Sequence, residues 1–416
     1  MTYDEIKQLY QNHIMPTYAR SEAAFARGEG CTLYDADGKA YIDLASGIGV
    51  SSVGHAHPKW VEAVCGQAAR LAHVSNLFHT LPDALLAKRL TGIAGMKNVF
   101  FSNSGAEANE GAIKLARKYS RDKYGGGRDV IITLLQSFHG RTVTTLAATG
   151  QKKFHDHFFP FTEGFAHVPA NDVKALENAL NRSTSAAKSV GNLALMPEQP
   201  QAGVCAVMVE CVQGEGGVLP MDAEYLKAVQ KLCEERDVLF ICDEVQTGIG
   251  RCGAWFSYQR AGLKPDVATF AKGVAGGLPL GGFMANEKCS KVLTPGTHGS
   301  TFGANPICCQ AGLASLDIIS EVLPQVDAKG KLVADLLSGA KGVKSVRGMG
   351  LMLGIVTGGV NSAEVVKEAL KQGVVCLTAG PDVVRLLPPL VISGEQLTEG
   401  VEIIKGAIGA LYDKEA

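Results

Sequence analysis

Val238-Leu-Phe-Ile-Cys-Asp-Glu244 and Asp266-Val-Ala-Thr-Phe-Ala-Lys-Gly273 are the two stretches that decide the fold. Each contains a short apolar run of strand length, and each run ends in chemistry. The first ends in the acidic pair Asp243-Glu244, the second in Lys272 ahead of a glycine-rich turn. Strands that are apolar on both faces belong inside a parallel sheet covered by helices on either side. In such sheets ligands gather beyond the carboxyl ends of the strands. The two runs therefore bring a carboxylate and an amine to one edge. Taken singly, a strand-end aspartate and a lysine are more often solvated loop residues; the flanking sequence shifts that balance.

Further strands are read at Val99-Phe-Phe101, Val130-Ile-Ile132 and Val204-Cys-Ala-Val-Met-Val209. Helices fall between them: Ala112, Leu115, Ala116 and Tyr119 share one face, as do Leu226, Val229 and Cys233. The alternation predicts an α/β protein with a mostly parallel sheet flanked by helices. At 416 residues the chain exceeds what one core usually serves. The expected division is an N-terminal arm with part of a small domain over 1–57, a large domain over 58–312, and a smaller α+β domain over 313–416. Asp37-Gly38, between two strand-like runs, predicts a hairpin near the start, on which the C-terminal part is expected to pack. Residues 182–203, rich in Ser, Ala, Gly and Pro, read as an exposed loop.

Composition narrows the class. With 40 basic and 41 acidic residues and no polybasic run, nothing favours nucleic acid or an anionic membrane. The apolar runs are read as strand-length, short of a membrane span. The first residues lack a secretory pattern. Eleven cysteines form no C-x-x-C pair and read as buried, reduced thiols, so neither a disulfide framework nor a zinc site is expected. These features predict a cytoplasmic protein.

The loops after the strands carry the remaining chemistry. Ser102-Asn-Ser-Gly-Ala-Glu-Ala-Asn-Glu110 joins a strand to a helix, with Ser104 and Glu107 at capping-box spacing. The same geometry offers free N–H groups and a positive dipole end to a phosphate. In Ser137-Phe-His-Gly-Arg141, Phe138 can stack on a ring and Arg141 can clamp a carboxylate. A lysine that forms a Schiff base and an acid that keeps a pyridine nitrogen protonated are what pyridoxal phosphate asks of its protein.

Six motifs occur in a fixed order: Ser102-Asn-Ser-Gly-Ala-Glu-Ala-Asn-Glu110, Phe138-His-Gly-Arg141, Gln213-Gly-Glu-Gly-Gly217, Asp243-Glu-Val-Gln-Thr-Gly248, Ala271-Lys-Gly273 and Gly299-Ser-Thr301. Together they resemble the class III pyridoxal-phosphate-dependent aminotransferases over nearly the whole chain, and within them the acetylornithine type. The resemblance implies the fold type I architecture of pyridoxal-phosphate enzymes. It implies Lys272 as the Schiff-base lysine and proton shuttle, Asp243 on the ring nitrogen, Gln246 on the ring hydroxyl, Phe138 against the ring and Val245 beside it. Ser104, Gly105 and Ala106 would hold the phosphate, helped by Thr301 from a second subunit of a homodimer. Arg141, with Ser300 nearby, would take a substrate carboxylate. Glu215 and Arg385 resemble the family's switch pair, in which the acid masks the arginine until glutamate arrives; a plain salt bridge is the alternative. Ala106 stands where a threonine is common, and 182–203 looks like an insertion.

The implied reaction moves the terminal amino group of N-acetylornithine to 2-oxoglutarate, giving N-acetylglutamate 5-semialdehyde and glutamate, a step of arginine biosynthesis. Succinylornithine, ornithine and 4-aminobutyrate are the rival donors. The absence of a tyrosine in Gly47-Ile-Gly-Val50 disfavours ornithine. A nucleotide-binding oxidoreductase would need G-x-G-x-x-G directly after a strand, and Gly348-x-Gly350 fails that spacing. A non-catalytic scaffold would have little reason to keep lysine, aspartate and arginine together.

Overall fold

The computed structural model describes residues 1–182 and 203–415. The expected 182–203 loop lies outside the described residues, apart from Arg182, which ends a helix, and Gly203, which opens a strand.

Seven strands form the central sheet: β1 (Asn98–Ser102), β2 (Arg128–Leu134), β3 (Phe165–Val168), β4 (Gly203–Val209), β5 (Leu239–Asp243), β6 (Val267–Phe270) and β7 (Gly281–Ala285). Their order is β1-β7-β6-β5-β4-β2-β3. The block from β6 to β3 is parallel throughout, and β7 runs antiparallel to both β6 and β1. Every residue of β5, β6 and β7 is buried, as expected for strands apolar on both faces. The sequence reading places five of these strands within a residue or two. It misses β3, four residues long, and β7.

Strand β7 is hidden by its two glycines, a residue type that strands disfavour. They are required by close approach. A Cβ on Gly282 would sit 2.2 Å from the Phe100 carbonyl oxygen, and one on Gly281 would sit 2.7 Å from that of Ser104. Only a bare backbone can pass between β1 and β6 at this end. This threading brings the loop after β1 alongside the loop after β6.

The helix Gly105–Tyr124 lies on the sheet with Ala112, Leu115, Ala116 and Tyr119 buried, and Ala223–Arg236 buries Leu226, Val229 and Cys233. Both faces match the periodicity of the sequence. The N-terminal hairpin pairs Tyr34 with Ala40 across a turn in which Gly38 adopts φ +86°. Its strand Ala40–Asp43 then pairs in parallel with Val374–Val375, Val374 opposite Ile42, so the C-terminal part does pack on the N-terminal sheet. A second antiparallel sheet contains β8 (Val343–Met349), β9 (Met352–Thr357), β10 (Leu377–Thr378) and β11 (Val383–Leu386), in the order β8-β9-β11-β10.

One stretch, 306–337, is long and apolar enough to cross a membrane by length and composition, and half of its apolar window is buried. It is two helices, Pro306–Val322 and Val326–Leu337, separated by the turn Leu323–Gln325. Among the described residues no group of three or more His, Cys, Asp or Glu side chains is placed to hold a metal ion. The cysteines are unpaired; Cys65 is exposed and Cys308 half-buried, while the rest are buried.

Candidate active site

A cavity of about 410 Å³ opens at the carboxyl ends of β1, β2, β4, β5 and β6, where their loops converge. Ser104, Gly105, Ala106, Phe138, Arg141, Asp243, Val245, Gln246 and Lys272 all line it. Four separate strand ends supply these residues and a fifth, that of β4, adds Glu210, so the sheet, and no single loop, assembles the site.

Asp243 ends β5 fully enclosed. Its Oδ2 accepts from Asn109 Nδ2 at 2.8 Å and lies 2.7 Å from His139 Nδ1; its Oδ1 accepts from the Val245 N–H at 3.0 Å and from Thr269 Oγ1 at 3.3 Å. Burial pushes this carboxyl up, but the hydrogen bond and charge of His139, with Val245 N–H and Asn109, outweigh it and hold the pKa below the ordinary value. The imidazole is moved the opposite way: burial lowers it, and Asp243 more than offsets this. Aspartate and histidine thus form a buried, hydrogen-bonded pair lining the cavity. His139 Nε2 and Asn109 Oδ1 are left without partners among the described residues.

Lys272 follows β6 and adopts φ +45°. A non-glycine residue in the left-handed region is held there by its surroundings. Burial lowers its pKa, opposed by the charge of Glu215.

At the start of the Gly105–Tyr124 helix, Ser104 Oγ accepts the Glu107 N–H at 3.2 Å, as the capping spacing predicts. The Glu107 carboxylate goes to the Asn103 N–H at 2.7 Å, one residue short of a full capping box. The first intrahelical bond runs from the Ala108 N–H to the Ser104 carbonyl. The N–H groups of Gly105 and Ala106 precede it and face the cavity's edge free of the helix ladder. A Cβ on Gly105 would meet Val245 at 2.5 Å, so glycine is needed there for the helix to dock on the β5 loop.

Phe138 meets Phe154 edge-on at 5.8 Å, and the exposed Arg141 guanidinium lies 3.9 Å over the Phe154 ring and 5.6 Å from that of Phe138. Arg141 makes no ion pair among the described residues. The backbone N–H of Phe138 donates to Glu210 Oε2 at 2.9 Å.

Arg385, on β11, is buried, and its Nη1 donates to Glu215 Oε1 at 2.6 Å and to Gln246 Oε1 at 3.2 Å. Its Nε has no partner among the described residues. Burial raises the Glu215 carboxyl, but the Arg385 charge and hydrogen bond, then Lys272 and Gln246, hold it below its ordinary range. Ser300 and Thr301 are not brought to the cavity. They lie in a separate depression with Phe100, Asn103 and His298, and Ser300 Oγ accepts from the Gly303 N–H at 2.9 Å.

Asn109, His139 and Glu210 belong to the site and escaped the sequence reading as participants. Glu210 carried a usable signal, since an acid directly after an apolar strand is the pattern that singled out Asp243.

The Aminotransferase class-III family model matches residues 15–408. An acetylornithine aminotransferase of Haemophilus ducreyi is 52% identical over 97% of this chain and 98% of that protein, and one of Gloeobacter violaceus is 43% identical over 98% of each. Among solved structures, an ornithine aminotransferase from Toxoplasma gondii superposes with a TM-score of 0.91 at 29% identity, covering 100% of this chain and 97% of that one. An acetylornithine aminotransferase from Elizabethkingia anophelis gives 0.83 at 31% identity, covering 98% and 99%. A strand-end lysine and aspartate, a free helix N-terminus lining the same cavity and a match of this length lead to one conclusion: the chain belongs to the class-III aminotransferases.

Proposed function

We propose that this aminotransferase moves the δ-amino group of N-acetylornithine to 2-oxoglutarate, yielding N-acetylglutamate 5-semialdehyde and glutamate, with pyridoxal 5′-phosphate as cofactor. The names of its relatives at up to 52% identity support the donor. The cavity fits the cofactor. Free N–H groups of Gly105 and Ala106 suit its phosphate, the Asp243 carboxylate suits its ring nitrogen, and the face of Phe138 suits its ring. When bound, pyridoxal phosphate supplies an electron sink for the substrate carbon and carries the amino group between the two substrates.

The chain's own groups do the rest. Lys272, with its pKa lowered by burial, is suited to take a proton from the substrate carbon and to return it. Asp243, kept ionised by its hydrogen bonds, balances positive charge at the ring nitrogen. Arg141, free of carboxylate partners, offers its fork to a substrate carboxylate.

The observation that carries the reading is the Arg385–Glu215 pair. N-Acetylornithine reacts at a carbon without a carboxylate, glutamate at one that bears it. A buried guanidinium left bare in the first half-reaction is costly, and Glu215 neutralises it at 2.6 Å. The unpartnered Nε of Arg385 is spare capacity for a second carboxylate.

The reading includes a homodimer and the division at residues 57 and 312. The exposed apolar side chains Leu77, Phe78, Leu81 and Phe302, 63–87% accessible, support a second copy. They sit beside Ser300 and Thr301, because Asn76 Nδ2 donates to the carbonyls of Ser300 and Gly303. Thr301 would serve the partner's phosphate site. A cytoplasmic location is part of the same reading. The test is a donor panel against 2-oxoglutarate: N-acetylornithine, N-succinylornithine, ornithine and 4-aminobutyrate. N-Acetylornithine should give the highest kcat/KM, and a higher value for ornithine or 4-aminobutyrate would refute the donor.

A further inference from the structure

The β8–β9–β11–β10 sheet carries Arg347, Gly354, Arg385 and Leu377 in one cross-strand row. Residues directly opposed on antiparallel strands project to the same face. Two guanidinium groups therefore flank a position with no side chain. The loop that bears Glu215 lies across this row. Arg347 Nε and Nη2 donate to the Gly217 carbonyl at 2.9 and 2.7 Å, and Arg385 Nη1 donates to Glu215 at 2.6 Å. Val218, wholly buried, fills the gap between them: a Cβ on Gly354 would stand 2.9 Å from Val218 Cβ.

The loop backbone is strained and wedged. Val218 adopts φ +53°, a conformation that a β-branched residue keeps only when its surroundings enforce it. Gly214 passes close over two side chains, since a Cβ there would meet Gln246 Oε1 at 2.2 Å and Met352 Cε at 2.8 Å. The side chain of Glu215 is freer, 28% exposed against 4% for Arg385.

We propose that Arg347, with bare Gly354 as its spacer, is a positioning residue that pins this loop so that only the Glu215 side chain moves on and off Arg385. The proposal rests on the reading of the Glu215–Arg385 pair given above. If the pin is lost, Glu215 should mask Arg385 poorly, and selectivity should drift toward glutamate. Charge-assisted hydrogen bonds are strong enough for their loss to shift a rate ratio by about tenfold.

The test uses stopped-flow kcat/KM of the holoenzyme for the N-acetylornithine and glutamate half-reactions, with hydrogen exchange of the 212–218 amides. Arg347→Met should lower the N-acetylornithine-to-glutamate ratio by about tenfold, in the same direction as Glu215→Ala. Arg347→Lys, keeping one donor, should fall between wild type and Arg347→Met. Gly354→Ala should displace Val218 and shift the ratio the same way, which covers the case in which Arg347→Met does not fold. Exchange over 212–218 should quicken in both Arg347→Met and Gly354→Ala. In a Glu215→Ala background, Arg347→Met should cause no further shift. Equal losses in both half-reactions, or unchanged exchange, overturn the anchor. A shifted ratio in Glu215→Ala beside an unshifted one in Arg347→Met also overturns the anchor, and leaves the Glu215–Arg385 reading standing. An unchanged ratio in Glu215→Ala removes that reading and the proposal with it.

Discussion

Glu210 joins two loops that the site needs in register: its Oε2 accepts the Phe138 N–H at 2.9 Å and its Oε1 the Gly214 N–H at 3.4 Å. Burial pushes its carboxyl up to about 7, with the His139 charge opposing and the Asp243 charge adding. The native state therefore holds a proton that the unfolded chain has released, between the ordinary value of 4.5 and about 7. A raised native pKa contributes stability that is complete below the ordinary value and is lost as pH rises through the native one. Glu210→Gln keeps an acceptor oxygen and cannot titrate. It should gain on wild type between pH 5 and pH 8, seen as a urea midpoint difference that shifts in favour of the variant. The same difference at both pH values would show that Glu210 does not titrate as its burial implies.

At the scale of elements, strand β7 makes the sharpest demand on sequence. A Cβ on Gly282 meets backbone, at 2.2 Å from the Phe100 carbonyl oxygen, and backbone cannot rotate away. Gly282→Ala should cost about 1–3 kcal/mol by overpacking, read as a lower urea midpoint with an unchanged slope; an unshifted midpoint would contradict the register of β7 between β1 and β6. The same strand marks the limit of what the sequence alone conveys. Strands such as Val267–Phe270 declare themselves by continuous apolar runs, and the residues just beyond them, Lys272 and Asp243, are legible as chemistry because position and residue type coincide. Gly281-Gly282 carries the opposite local signal, and only the neighbouring backbones explain it. Asn109 and Asp243 stand 134 residues apart, so their bond has no local trace. Arg347 shows its place only through the register of β8, β9 and β11, which sets it in one row with Arg385 across Gly354.

For the whole molecule, the exposed cluster around Leu77, Phe78 and Phe302 predicts a dimer of twice the 43.8 kDa chain mass in light scattering. Apolar side chains this exposed mark interaction surfaces. Leu77→Asp should move the mass toward the monomer and, under the proposed role of Thr301 in a partner's phosphate site, lower turnover with it. A fully active monomer would refute the shared site. The central claim is that this chain carries an amino group from N-acetylornithine to 2-oxoglutarate through Lys272. N-Acetylornithine labelled with nitrogen-15 at the δ position, incubated with the holoenzyme and 2-oxoglutarate, tests it directly by mass spectrometry of the glutamate formed. The wild-type protein should deliver the label to glutamate, and Lys272→Ala should do so at least about 10²-fold more slowly. Unlabelled glutamate from the wild type, or undiminished transfer by Lys272→Ala, would contradict the account.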